Sequence, residues 1–485
     1  MNQQIEKFQL KNWELVSINP NNKNWVWSDY FNFWAVSVQS VIGFSLIASL
    51  YLLYDLNSII VSLGCFFAAI LVFFFSNLIG KISQASGLSF PVILRMSMGF
   101  NGARYVGMIR GLVGIFMFGV QTFFISKLIG YLIRILIYQI DYQLTNNEIF
   151  LYFFFGMNII DWISLVITFL LQYYLFSKGQ DFNKAFIKFS AIFVYLGLII
   201  FFVIIISEHL NDVMNSFKLS TNTNNFISKT NIIPLISITG TMFAYFSILL
   251  LTYGDFSRSA KNVEEMRKGN LSLVLNLIIF SLLSVLIVLG SEIILTKNAI
   301  QFDTLLTNPN DIIGKINNNY LTIIVLFFII ISSLSTNLIA NYVPSQNTLI
   351  NFLPNSLSLK GAGLVIIILG LIVSTFWLSI FSQIGALTIF DTLSSFFGPI
   401  FGVIVADYYL IKKQEINHKE LFYPTEKTEY IYSNGWNYKA LYSIIIGFIF
   451  AASTIWNVSL NLFQSFSWMI GAFISFVLYY LINND

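Results

Sequence analysis

Along nearly the whole chain, short polar stretches separate apolar runs of helix length. A run of about 20 apolar residues is what a helix needs to cross the hydrocarbon of a bilayer. The pattern predicts spans at roughly 31–55, 58–80, 103–133, 158–177, 186–207, 232–253, 270–295, 318–344, 361–381, 384–411, 438–457 and 461–482. Twelve helices with short connections account for most of the chain, so the pattern reads as an all-α integral membrane protein.

Composition agrees. Of 485 residues, 56% are hydrophobic and 10% charged, and mean hydropathy is +0.75, whereas a soluble domain carries about a quarter of its residues as charges. Residues 1–28 form a polar N-terminal segment with Lys7, Lys11 and Lys23 and no apolar core. The first span therefore serves as its own insertion signal. A net charge of +3 is too small to imply a nucleic-acid partner. The single cysteine, Cys65, excludes an intrachain disulfide and reads as packing. His209 and His418, both in polar stretches, offer no metal-ligand cluster.

Loop charges orient the helices. With the N-terminus in the cytoplasm, Lys81, Arg95, Arg104, Lys178, Lys184, Lys188, Arg258, Lys261, Arg267, Lys268, Lys360, Lys412, Lys413, Lys419 and Lys427 fall inside. Only Lys127, Arg134, Lys218, Lys229, Lys297 and Lys315 fall outside. This is the positive-inside bias, and it places both termini in the cytoplasm of a cell-membrane protein. Lys127 reads as snorkelling to the outer interface, and Tyr408 and Tyr409 as an interfacial anchor.

Two connections, Lys81–Asn101 and Asn298–Asn318, mix apolar and polar residues. They lie five spans apart on opposite faces, as an inverted five-plus-five repeat requires. The division is then 1–28, a first repeat over 29–207, a second over 208–413, and a loop with two further helices over 414–485.

Polar residues inside spans are costly unless they face the bundle interior. Span one carries Ser37, Gln39, Ser40 and Gly43, span three Gln121 and Thr122, span six Ser237, Thr239, Gly240 and Thr241. Span eight is the most polar, with Ser332, Ser333, Ser335, Thr336, Asn337 and Asn341. Spans one and six are partners in the repeat, and small polar residues near their middles predict that both unwind. Taken singly, such residues also serve as interhelical glue or back-bond to their own helix. Clustered in four symmetry-related helices, they mark a site.

Gln121 and Asn341 each donate and accept, which suits a neutral heterocycle with alternating carbonyl and N–H groups. Mid-membrane carboxylates are rare. Asp391 is the main one, a proton relay or a helix cap, while Asp161, Glu292 and Asp407 sit near span ends. Hydroxyls such as Ser335 and Thr336 suit sodium, a hard cation. Asp255 and Arg258, in YGDFSR at 253–258, read as a local ion pair or cap.

Several strings in order resemble the nucleobase:cation symporter-1 family. They are SGLSFPVILRMSMGFNGA at 86–103, IRG and FGVQT after it, YGDFSR at 253–258 and STNLIANYVPSQN at 335–347. FFGPIFGVIVADYYLIKK at 396–413 and SNGWNYKAL at 433–441 follow, and NPNNKNW precedes span one, with Lys23 where an arginine is usual. The resemblance implies a leucine-transporter-type inverted repeat with two C-terminal helices, alternating access, and substrates such as hydantoins, allantoin, uracil, cytosine, purines or vitamin precursors. It places a sodium site on the carbonyls of Ala35, Val38 and Ser332 and the hydroxyls of Ser335 and Thr336. Substrate contacts fall on Gln39, Gln121, Asn337 and Asn341, with Met117 and Phe246 where the family usually has tryptophan. Ser332 replaces a small apolar residue.

The sequence thus reads as a sodium symporter of a small nitrogen heterocycle, with a proton-coupled version of the same fold as the alternative. No cofactor beyond the coupling ion and no obligate protein partner is implied. A membrane-embedded enzyme would need His, Asp, Glu or Cys gathered at one depth, and the chain offers no such group.

Overall fold

A computed structural model of the chain describes residues 10, 15–53, 57–141, 143, 148–207, 209–220, 229–297, 306–313, 319–385, 389, 392–425 and 428–484. Among the described residues, ten helices are long and apolar enough to cross a bilayer, and the bent pair Trp27–Val38 and Val41–Leu53, taken as one span, makes an eleventh. The shorter apolar helix Leu359–Thr375, followed by a wide turn over Trp377–Phe381, lies where the ninth span was expected. The bundle is all-helical, with isolated bridges but no strand among the described residues.

Local chemistry sets many helix ends. Asn57 accepts from the Ile60 N–H at 3.1 Å and opens the second span, Ser58–Ser86. Gly87, at φ 70°, closes it in the left-handed conformation that favours glycine. The third span is longer than the sequence pattern suggests, because helix runs from Phe90 to Ile140. Its first turns form a separate segment that bends at Gly99, where φ is 76° and ψ 174°. A Cβ there would meet the Gly435 carbonyl oxygen at 2.6 Å, so the bend is also a backbone contact with the loop before span eleven. Asn158 and Asp161 cap span four, Ile159–Phe176, reciprocally.

Packing follows the expected inverted symmetry. The first span lies on the seventh, Val263–Lys297, and the sixth, Lys229–Thr252, lies on the second. Spans three and eight, the central pair, also touch.

Three expectations need correction. The sixth span is helical from Lys229 to Thr252 without a break. Its small polar residues are used in packing: Thr239 back-bonds to the Leu235 carbonyl at 2.7 Å, and Thr241 meets Ser465 at 3.2 Å. A Cβ on Gly240 would strike the Ser465 side chain. Lys127 does not simply snorkel, since its ammonium and the Arg134 guanidinium both pair with Asp161 at 2.8 Å. Nor are Tyr408 and Tyr409 a free anchor. Tyr408 is buried, and Tyr409 donates to the Leu78 carbonyl at 2.9 Å. Asp391 lies outside the described residues, as does much of the connection Asn298–Asn318, of which Pro309–Ile313 forms a short helix.

The loops after spans two, six, eight and ten gather with the N-terminal segment at one end. Ile18 N–H bonds the Gly87 carbonyl, Trp25 N–H the Ser259 carbonyl, and Leu10 N–H the Phe422 carbonyl. Arg95 is fully buried there and joins Asn351 at 2.9 Å to the Leu421 carbonyl at 3.0 Å.

The last span, Ser467–Asn484, clasps the tenth at very short range: a Cβ on Gly402 would strike the Ala472 carbonyl oxygen. Backbone cannot yield as a flexible side chain does. Gly402→Ala should therefore destabilise the purified protein by about 1–3 kcal/mol. A melting curve in detergent showing no fall in midpoint would refute this packing.

Candidate substrate and ion site

The first span breaks at Gln39 and Ser40, and its halves meet at 59°. Ser40 explains the break locally. Its N–H turns back to the Val38 carbonyl at 3.0 Å, and its hydroxyl accepts from the Gly43 N–H at 2.9 Å, capping the second half. Among the carbonyls that thereby lose their helical donors are Val36, whose partner would be the Ser40 N–H, and Gln39, whose partner would be that of Gly43.

Span eight supplies the missing donors. The Thr336 hydroxyl lies 2.9 Å from the Val36 carbonyl and 3.0 Å from that of Ser332. The Ser332 hydroxyl donates to the Gln39 carbonyl. The Ser335 hydroxyl back-bonds to the Ser332 carbonyl at 2.8 Å. Ala35 and Val38 carbonyls stand in the same turn, accepting from the Gln39 and Ser40 N–H groups. The five positions expected to hold sodium thus lie on two touching segments, all buried. Their donors are carbonyl and hydroxyl oxygens, the ligand type a hard cation takes. Span eight bonds Val36 and Gln39, two carbonyls the sequence reading did not single out.

A second polar group lies between spans three and eight. Asn341 Nδ2 donates to Gln121 Oε1 at 3.0 Å and to Asn337 Oδ1 at 2.9 Å. Gln121 Nε2 donates to the Ser333 carbonyl at 3.2 Å. Asn337 Nδ2 donates to the Phe118 carbonyl at 3.3 Å and to the Thr122 hydroxyl at 3.1 Å. That hydroxyl also lies 2.7 Å from the Phe118 carbonyl and 3.0 Å from Gln172 Oε1 in span four. The expected amides are together, and they satisfy one another.

Gln39 stands apart from this group. Its side chain is 3% exposed, and neither amide atom makes a hydrogen bond of good geometry, although the Tyr195 hydroxyl is close. It lines a cavity of about 50 Å³ with Ser40, Phe44, Phe201, Phe280 and Ser332. That volume holds a few waters rather than a ring. Met117 is half-buried and Phe246 fully buried, and neither lines this cavity. The sixth-span aromatic that reaches the break is Tyr245, whose hydroxyl meets that of Ser40 at 2.5 Å. The sequence reading missed Tyr245, Tyr195 and Gln172. The signal for each was a lone polar tip inside an apolar run.

Asp255 is buried beyond the end of span six and accepts from the Phe90 N–H at 3.0 Å. It is a cap, but for a helix distant in sequence. Burial pushes its carboxyl up to about 6, against the opposing pull of Arg258.

A sequence model described as a permease for cytosine/purines, uracil, thiamine and allantoin matches residues 17–482. The chain belongs to that family. It is 23% identical to the allantoin permease of Bacillus subtilis over 98% of this chain and 94% of that one. It is 25% identical to a purine-uracil permease of Arabidopsis thaliana, covering 91% of this chain and 70% of the relative. The fold matches that of Mhp1, a nucleobase-cation-symport-1 family transporter solved closed with bromovinylhydantoin bound. There the TM-score is 0.67 at 17% identity, covering 99% of this chain and 94% of that one. A sodium-coupled sialic acid symporter shares the fold with a TM-score of 0.65 at 12% identity, over 99% of this chain and 93% of that one. This permease is therefore a multi-pass membrane transporter of the nucleobase and allantoin type, not an enzyme.

The Thr122 hydroxyl is the hinge of the amide network. Thr122→Val keeps the shape and takes one bond each from Asn337 and Gln172. Single interhelical hydrogen bonds in membrane proteins contribute about 0.6 kcal/mol and at most about 1.7. Because two bonds are lost, the variant should fall at the upper end of that range. An unchanged melting midpoint would show that the network is not formed.

Proposed function

We propose that this permease imports a small, mostly neutral nitrogen heterocycle together with sodium, by alternating access across the cell membrane. Both termini lie in the cytoplasm in this reading. Residues 29–207 and 208–413 act as two inverted halves, and 414–485 carry the remaining two spans. The observation that carries the proposal is the broken first span held against the hydroxyls of span eight, beside amides aligned between spans three and eight.

Sodium bound to the carbonyls of Ala35, Val38 and Ser332 and the hydroxyls of Ser335 and Thr336 would tie span one to span eight. Substrate would be read by Gln39, Gln121, Asn337 and Asn341, with Met117 and Phe246 as flanking apolar contacts. Coupling then follows from linkage: if sodium tightens substrate, substrate tightens sodium by the same factor. The relatives' names support the substrate class, since allantoin, uracil and oxopurines such as hypoxanthine present ring N–H and carbonyl groups. The basic residues at the end where the N-terminal segment docks, Arg95, Arg104, Arg258 and Lys261 among them, support the sidedness.

The test is uptake into proteoliposomes of labelled allantoin, uracil, cytosine, hypoxanthine and a 5-substituted hydantoin. Each is run under an inward sodium gradient and then under an inward proton gradient. Sodium-driven accumulation of one compound is expected. Thr336→Val should raise the sodium concentration for half-maximal uptake about tenfold or more, the loss of one good ligand being worth at least about 1.4 kcal/mol. Accumulation driven by protons alone would overturn the sodium reading.

One observation favours the proton alternative, in which Asp391 was the expected relay. Asp255 has a carboxyl raised to about 6 and lies buried just beyond the end of span six, where it caps the helix that begins at Phe90. The sign of its effect is fixed. A raised carboxyl binds its proton more tightly in the folded state, so stability falls as pH rises from about 4 to 6. Asp255→Asn should remove that slope from a melting series across pH 4.5–7. If it also leaves sodium-driven uptake intact, Asp255 is a structural cap and carries no coupling proton.

A further inference from the structure

The eighth span changes its winding where it carries Asn341. Residues Leu338–Tyr342 form a π turn, and the Val343 N–H reaches back to the Leu338 carbonyl. The cause is in the sequence. Pro344 has no N–H, and its ring crowds the carbonyl four residues earlier, which is Ala340. That carbonyl is left without its helical donor in a region where water is scarce.

Arg110 supplies the donor. Its Nη2 lies 2.5 Å from the Ala340 carbonyl oxygen, and the side chain is fully buried. Gly114, one turn along span three, makes room: a Cβ there would lie 2.5 Å from Arg110 Nη1 and would strike Ser345 Oγ. Phe397 faces the guanidinium at 5.7 Å, and Asp255 is the acid whose field reaches it. The peptide that Arg110 holds leads directly into Asn341, whose amide bonds Gln121 and Asn337.

We propose that Arg110 is a positioning residue of the transport site: it satisfies the carbonyl orphaned by Pro344, fixes the π turn, and so sets the direction of the Asn341 amide. The role in transport rests on the reading of Asn341 as a substrate contact. The clamp itself does not.

Two kinds of readout separate these. The first needs no substrate: melting midpoints and hydrogen exchange across 338–346 for Arg110→Met, Pro344→Ala and the double variant. Pro344→Ala restores an N–H to Ala340, so a residue in contact with this carbonyl should show strong coupling to it. Arg110→Met is expected to lower the midpoint and speed exchange. The double variant should regain most of both. Equal losses with and without Pro344 would overturn the clamp and assign Arg110 to its charge opposite Asp255. If Arg110→Met does not fold, failure of the double variant to fold overturns the clamp equally. Arg110→Lys, which keeps the charge and offers a single donor, should fall between wild type and Arg110→Met in midpoint and exchange.

The second readout is sodium-driven uptake of allantoin and uracil. Arg110→Lys is expected to raise KM about tenfold with Vmax little changed, as loss of one oriented amide contact requires. An unchanged KM beside faster exchange would leave the clamp structural and overturn the positioning role. If wild type transports neither probe nor any of the other three compounds named above, the substrate reading fails while the exchange cycle still decides the clamp.

Discussion

Inside hydrocarbon, a backbone carbonyl that loses its helical donor has no water to turn to, and leaving it bare costs more than most packing defects. At two of the places where this permease interrupts its helical ladder, a side chain from another span makes good the loss. At the first, Ser332 and Thr336 of span eight hold the carbonyls of Gln39 and Val36 in span one. At the second, Arg110 of span three holds Ala340 of span eight. The requirement to satisfy carbonyls thus chains together spans one, eight and three. The bonds that repair the breaks are also the bonds that fix the relative positions of the spans.

This explains why polar residues concentrate in span eight. Span eight both repairs a neighbour and needs repair. Its hydroxyls face span one while its amides face span three, and four residues separate Ser333 from Asn337 and Asn337 from Asn341, so one turn per step keeps the amide face continuous. The C-terminal helices do different work. Backbone-to-backbone contact between Gly402 and Ala472 locks span twelve on span ten, and the Tyr479 hydroxyl donates to the buried Asp407 at 2.8 Å.

Much of this was legible in the sequence, because the bilayer imposes a simple code. Span length, loop charge and the scarcity of buried ions gave the helical class, and Gln39–Ser40 marked the real break. The amides Gln121, Asn337 and Asn341 were legible as a polar group because amides are costly at that depth unless they are paired. What sequence could not give is which polar group meets which. Thr239, Gly240 and Thr241 look like the break in span one, yet Thr239 back-bonds to its own helix while Gly240 and Thr241 pack on the loop before span twelve, because small residues serve close approach as readily as unwinding. Lys127 lacked a visible partner because Asp161 is brought to it only by folding of span four. The wide turn at Leu338–Tyr342 was readable in principle from Pro344, but its donor, Arg110, is 230 residues away.

The self-satisfied amides bear on selectivity. Gln121 and Asn341 are bonded to one another, and Gln121 also holds the Ser333 carbonyl. A ring that engages them must replace those bonds one for one, since any amide left bare in the bundle carries the full cost of desolvation. A ligand that merely filled the space would lose against the existing pairs. A planar ring presenting a donor beside an acceptor could match them, and one that lacked either would leave Gln121 or Asn341 unpaired. Gln39, whose amide atoms make no well-formed hydrogen bond and lie near the Tyr195 hydroxyl, is the site amide with bonding capacity to spare in the proposed reading. In the proposed reading of the site, specificity between heterocycles would come from the pair between spans three and eight.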